Sequence, residues 1–313
     1  MRRFIPRRRI PALRRVRTAL AAAVTVGLSL VAAPSLAAPG QTMAAQIAAA
    51  EAAAAQFADL RAARRAGWRP FGGEAALMGR HFNHPRGPDY VHGDRIDFAK
   101  PSNLVYAKIG GRDRLVALAY VVRIAPGEPL PEGFAGRQDI WHVHNGTRFL
   151  SAIRETKPLA GAVAGRWFTD QIVQKDGRTN LAMVHLWLIP NPKGRFASHN
   201  PTLAYLDLGL PPQRARDMDT ARGLALIPRR GCDTALDAEL WLSGASGSKA
   251  RQIKSICRSI AADLRRGGQS LSALEASARE GWQRLEMTRD LSLTPAERRR
   301  MGAFVEDGPG ICR

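Results

Sequence analysis

The sequence predicts an α+β protein, with an antiparallel β-sandwich or small barrel at its centre, an N-terminal helix before it and a helical bundle after it. Three observations carry this prediction. Runs rich in Val, Leu, Ile and Tyr crowd the middle of the chain, and two of them flank Gly110-Gly111-Arg112-Asp113, a hairpin signal. In the last third, apolar residues recur every three or four positions. Near the start, alanine dominates and large apolar residues are sparse.

Residues 1–38 read as a cleaved export signal. They hold eight arginines and no acid, then an apolar run from Ala19 to Ala33, then Pro34-Ser35-Leu36-Ala37-Ala38, with cutting expected after Ala37 or Ala38. The apolar run is short for a membrane span. The expected protein is therefore periplasmic or secreted, with no transmembrane span after signal removal. The formal charge of +20 falls to +12 without those eight arginines. That excess favours salt-sensitive contact with an anionic envelope surface. No helix-turn-helix, RNA-binding sheet signature or aromatic stacking ladder accompanies it, so no specific nucleic-acid partner is expected.

Residues 39–67 are expected to form the N-terminal helix, ending at Gly67, with Ile47, Phe57 and Leu60 as a thin apolar stripe. Residues 68–210 form the expected β-domain. Its strands are Asn103–Ile109, Arg114–Ile124, residues 139–144 and 181–189, with Phe149–Ile153 as a further strand. Pro126, Pro129 and Pro131 mark a loop before the third. Residues 211–313 form a basic helical domain. Ile253, Ile256, Ile260 and Leu264 make one stripe, and Leu271, Leu274, Ala278, Trp282 and Leu285 another. Thr294-Pro295-Ala296-Glu297 is a helix start with capping-box chemistry. Cys232, Cys257 and Cys312 also fall here, and an oxidising compartment implies one disulfide among three possible pairings.

All seven histidines (81, 84, 92, 142, 144, 185 and 199) lie in the β-domain. His142 and His144 stand in Asp139-Ile140-Trp141-His142-Val143-His144-Asn145. In a strand, residues two apart share a face, so both imidazoles leave one side while Trp141 and Val143 pack on the other. His185 lies in a second apolar strand, where a buried imidazole needs a partner. If the strands are neighbours, three imidazoles converge in a pattern that suits zinc or copper. His81 and His84 sit among Gly and Pro, and either could add a ligand; His92 and His199 are weaker candidates, and His199 could simply help cap a turn. Of the carboxylates Glu128, Glu132, Asp139 and Asp170, Glu132 is the candidate general base toward a metal-bound water, because its loop leads into the histidine strand. No G-x-S-x-G elbow, Walker loop, H-E-x-x-H or G-x-G-x-x-G occurs.

Met78-Gly79-Arg80-His81-Phe82-Asn83-His84-Pro85, Leu104-Val105-Tyr106, Leu115 to Tyr120 and His185-Leu186-Trp187-Leu188-Ile189-Pro190-Asn191-Pro192-Lys193-Gly194-Arg195-Phe196 resemble a family of exported bacterial proteins without an assigned activity. Its marks are an M-G-x-H-aromatic-x-N-P opening, an L-V-x-V-E-Y strand and an H-x-W…N-P-x-G-x-F ending. The resemblance covers residues 75–201 and implicates His81 and His185. Two departures stand out: Ala119 replaces a glutamate, and an extra His84 separates Asn83 from Pro85.

The sequence thus leads to an exported protein that binds a transition metal through His142, His144 and His185, with His81 as a fourth ligand. Two alternatives remain: a non-metal envelope module that binds a ligand or surface, and a metal-dependent hydrolase or cupin-like oxygenase.

Overall fold

Gly110 and Gly111 adopt φ angles of +56° and +76°, the left-handed pair that a two-residue hairpin turn requires. They join strand β3 (Asn103–Ile109) to β4 (Arg112–Ile124), the longest strand of the sheet. The computed structural model describes residues 41–71, 74–84, 96–136, 139, 141–156, 178–303 and 305–306. The expected export signal, His92, Asp170 and Cys312 lie outside the described residues.

Around the hairpin, β1 (Arg69–Pro70), β2 (Arg80–Asn83), β5 (His142–Asn145), β6 (Asn180–Trp187) and β7 (Val305–Glu306) complete one sheet in the order β1-β2-β3-β4-β6-β5-β7. Every neighbouring pair is antiparallel. The sheet is open, with β1 and β7 at its edges, where the sequence had suggested a sandwich or barrel. Both of its faces are apolar, and all eight residues of β6 are buried. Each face therefore needs a cover, and helices and loops supply it in place of a second sheet. Alternating burial cannot tell those two covers apart.

The first face carries Phe82, Leu104, Tyr106, Leu118, Tyr120, Val122, Ala182, Val184 and Leu186. Against it pack α1 (Met43–Ala55) and α2 (Leu60–Arg65) through Ile47, Ala50, Ala54, Leu60 and Ala63. The single N-terminal helix expected from composition is thus two. Asp59 breaks it by accepting a hydrogen bond from the Arg61 amide and capping α2, and Gly67 turns the chain away at φ +96°.

The second face carries Val105, Ala117, Ala119, Val121, Leu181, Met183 and Trp187. Leu150 of α3 (Gly146–Thr156) and Leu203 of α4 (Thr202–Asp207) cover it. Phe149–Ile153, expected as a strand, is therefore helical. Its buried residues Leu150, Ala152 and Ile153 follow helical rather than alternating spacing.

Helices α5 (Met218–Leu224), α6 (Gly231–Ser243), α7 (Gly247–Arg265), α8 (Leu271–Ser292) and α9 (Pro295–Met301) follow, before β7. They share a core of Leu224, Leu236, Ile253, Ile260, Ala278 and Leu285, which also takes in Ala204 and Tyr205 of α4. The helical layer thus begins before residue 211. A disulfide between Cys232 and Cys257 ties α6 to α7 across a Cα separation of 5.8 Å. Such a bond is at home in an oxidising compartment. The capping box at Thr294 and Glu297 forms in both directions. Among the described residues, no helix is long and apolar enough to cross a membrane.

Candidate functional site

Strand pairing gathers four histidines on the second face of the sheet. His81 pairs with Val105, and Val105 with Ala117. Ala119 pairs with His185, Met183 with His142, and Leu181 with His144. Paired residues share a face, so His81, His185, His142 and His144 all project toward Leu150 and Leu203. Trp141 and Val143 pack on the opposite face, as two-residue alternation requires. The pleat also separates His81 from His84. His84 packs edge-on against Trp68, with ring centroids 4.9 Å apart, in the first core. It does not join the cluster.

The rings crowd together. His81 Nε2 and His185 Nε2 are 3.0 Å apart, although two strands lie between their backbones. The alanines at 117 and 119 leave the floor low enough for both rings to reach over it. His142 stacks on His185 at a centroid distance of 5.2 Å and an interplanar angle of 21°. His144 stands edge-on to His142 at 4.9 Å. His142, His144 and His185 are 1 %, 8 % and 0 % exposed, so water does not satisfy them. Neither ring nitrogen of His142, nor Nδ1 of His185, has a hydrogen-bond partner among the described residues. An unpaired buried polar group costs about 1–3 kcal/mol.

Burial holds these imidazoles neutral. It lowers the pKa of His81 to about 4 and those of His142 and His185 well below the ordinary histidine value. Neighbouring rings add to this, because a proton on one repels a proton on the next. In the contact between His81 and His185, one Nε2 donates and the other accepts, so the two rings carry opposite tautomers. Neutral imidazole is the form that binds metal.

His199 is the residue that sequence reasoning undervalued. Burial lowers its pKa to about 4, and a proton on it would oppose protonation of both His142 and His185. Its Nδ1 lies 3.0 Å from Ser198 Oγ. The turn after β6 delivers it there. Trp187 Nε1 donates to the Ala197 carbonyl, Asn191 Nδ2 to the His199 carbonyl and Asn200 Nδ2 to the Pro190 carbonyl. Gly194 bends the loop at φ +108°. The Asn-Pro-Lys-Gly-Arg-Phe segment is thus a scaffold that folds the chain back over the histidine face. The signal in the sequence was this dense set of turn formers between His185 and His199.

Among the described residues, no carboxylate bears on the buried rings of His142 and His185. Glu132 is exposed in the loop before β5, and nothing in the described structure brings it to the histidines. Glu128 is held by the Ala125 amide and by both Nε and Nη2 of Arg178. Asp139 lies against Gly133 and Trp141, on the side of the first core. Its pKa is pushed up to about 6 because burial outweighs the hydrogen bond from the Phe134 amide. Ala119 pairs directly with His185 and offers that ring only a methyl group.

Among the described residues, no three His, Cys, Asp or Glu side chains stand around one point as metal ligands would. The His81 and His185 Nε2 atoms stand at the hydrogen-bond distance of 3.0 Å, a little closer than the roughly 3.3 Å between two nitrogens on one tetrahedral metal. His142 meets His185, and His144 meets His142, through ring contacts alone. Comparison with protein-family models, with curated proteins and with solved structures found no match to this chain.

Proposed function

We propose that the protein binds a transition metal, zinc or copper, through the histidine face of its sheet. His81 and His185 serve as the leading pair, and His142 and His144 complete the site by ring rotation. One observation carries the reading: two Nε2 atoms meet at 3.0 Å beside a buried imidazole that has no partner on either nitrogen among the described residues. Imidazole-only ligation suits these metals, and neutral rings bind without first losing a proton. A transition metal would also relieve the cost of the unpaired nitrogens. The export signal and the disulfide fit a periplasmic or secreted setting. Among the described residues, no carboxylate at the cluster supports a hydrolase or oxygenase.

A second reading is a non-metal envelope module, in which the histidines are a neutral, mutually packed polar core. The absence of three side chains posed as ligands among the described residues favours it. Thermal unfolding after chelation and then with added zinc or copper(II) separates the two. The metal reading expects a rise in Tm that needs His81 and His185. The second expects no response to chelator or metal.

A further inference from the structure

A separate feature lies on the other side of the sheet's hairpin. Between α2 and the β3–β4 turn runs a cleft of about 630 Å³, within the range typical of small-molecule sites. Arg61, Arg64 and Arg112 line it together with Asp59 and Asp113. Both acids are already engaged. Asp59 caps α2 through the Arg61 amide, and Asp113 is shared between Arg80 at 3.4 Å and Lys108 at 3.3 Å. Among the described residues, Arg61, Arg64 and Arg112 form no ion pair, so no carboxylate claims their guanidinium groups. The Arg64 guanidinium lies 6.0 Å from the centre of the Phe82 ring, which limits its freedom. Gly111 at the turn leaves the rim open, since a side chain there would meet nothing within 4 Å.

We infer that this cleft is an anion site for a phosphate-bearing ligand, held by the guanidinium forks of Arg61, Arg64 and Arg112. Three planar donors around one cleft match the several oxygens of a phosphoryl group, which each fork can grip with two hydrogen bonds. The ligand is either a soluble phosphate compound or the headgroup of an anionic lipid. The site does not depend on the histidine cluster, which lies on the opposite face of the sheet.

Binding of inorganic pyrophosphate by calorimetry, and of phosphatidylglycerol vesicles against phosphatidylcholine vesicles by sedimentation, tests the inference at fixed ionic strength. The triple variant Arg61→Gln, Arg64→Gln, Arg112→Gln is compared with Arg216→Gln, Arg229→Gln, Arg251→Gln, which removes the same charge from exposed positions of the helical layer. All six side chains are exposed, so both variants should fold. The cleft variant should lose about tenfold or more in affinity, while the control stays within about twofold of wild type. Dependence seen with pyrophosphate marks a soluble ligand, and dependence seen with vesicles alone marks a lipid; either supports the site. Equal losses in the two variants, or no binding of either probe by wild type, overturn it.

Discussion

His81 and His185 bring their Nε2 atoms to 3.0 Å from strands that are not neighbours, across a floor of Ala117 and Ala119. A contact of that kind needs two long reaches and two small residues beneath them. Larger side chains at 117 or 119 would fill the space the rings occupy. The relationship joins His81 and His185 across two intervening strands, which strand pairing alone does not do.

His142 offers a stability test. Neither of its ring nitrogens has a partner among the described residues, and the side chain is 1 % exposed. Replacing it with leucine in chelated protein removes an unsatisfied group without opening a large hole. Unfolding in urea should place His142→Leu within about 1 kcal/mol of wild type, or above it. His185→Ala, which also strips His81 of its partner, should cost about 1–3 kcal/mol. A His142→Leu variant destabilised as strongly as His185→Ala would show that His142 is satisfied in solution.

Acid should unfold this protein through its histidines. Their native pKa values lie below the ordinary 6.5, with His81 and His199 at about 4. At these histidines the unfolded chain binds more protons than the native one between those limits, so they make stability fall as pH drops from 6.5 toward 4, while Asp139, raised to about 6, opposes them as a single group. Each neutral histidine contributes a slope of at most about 1.4 kcal/mol per pH unit. Urea midpoints across that window should shift steeply, and His142→Leu should flatten the curve. A midpoint independent of pH between 6.5 and 4 contradicts the neutral cluster.

The disulfide should matter to the helical layer. Cys232 and Cys257 close a loop of 25 residues between α6 and α7. Reduction, or Cys232→Ser with Cys257→Ser, should lower stability by about 2–4 kcal/mol in denaturant. Unchanged midpoints on reduction would mean that the two cysteines are not joined.

Gly223 tests the packing of α5 on α8. A Cβ there would stand 1.9 Å from the Ala278 carbonyl oxygen, which belongs to backbone that cannot swing aside. Gly223→Ala should cost about 1–3 kcal/mol or more, although alanine is the better helix former. A stabilised variant would contradict the close helix crossing.

Much of the sheet was legible in the sequence because its signals are local. Gly110-Gly111 requires left-handed φ angles, and the Trp-His-Val-His pattern sorts its residues by face whatever the neighbours do. The helix start at Thr294 rests on three adjacent residues and forms as expected. Phe149–Ile153 was misread because five apolar-rich residues fit either period, and only packing against β6 and α6 decides. The open sheet was hidden for a similar reason, since a helix and a second sheet both reward a buried face. His199 was undervalued because its position depends on a folded-back loop, and His84 was paired with His81 until the pleat put them on opposite sides.

Metal content measured by mass spectrometry tests the central claim most directly. Wild type and the His81→Ala, His185→Ala double variant would be loaded with zinc or copper(II) and exhaustively dialysed, with circular dichroism confirming that both are folded. Retention of about one metal per wild-type chain, lost in the folded double variant, is the predicted result. No retained metal in wild type, or equal retention in both, would contradict it.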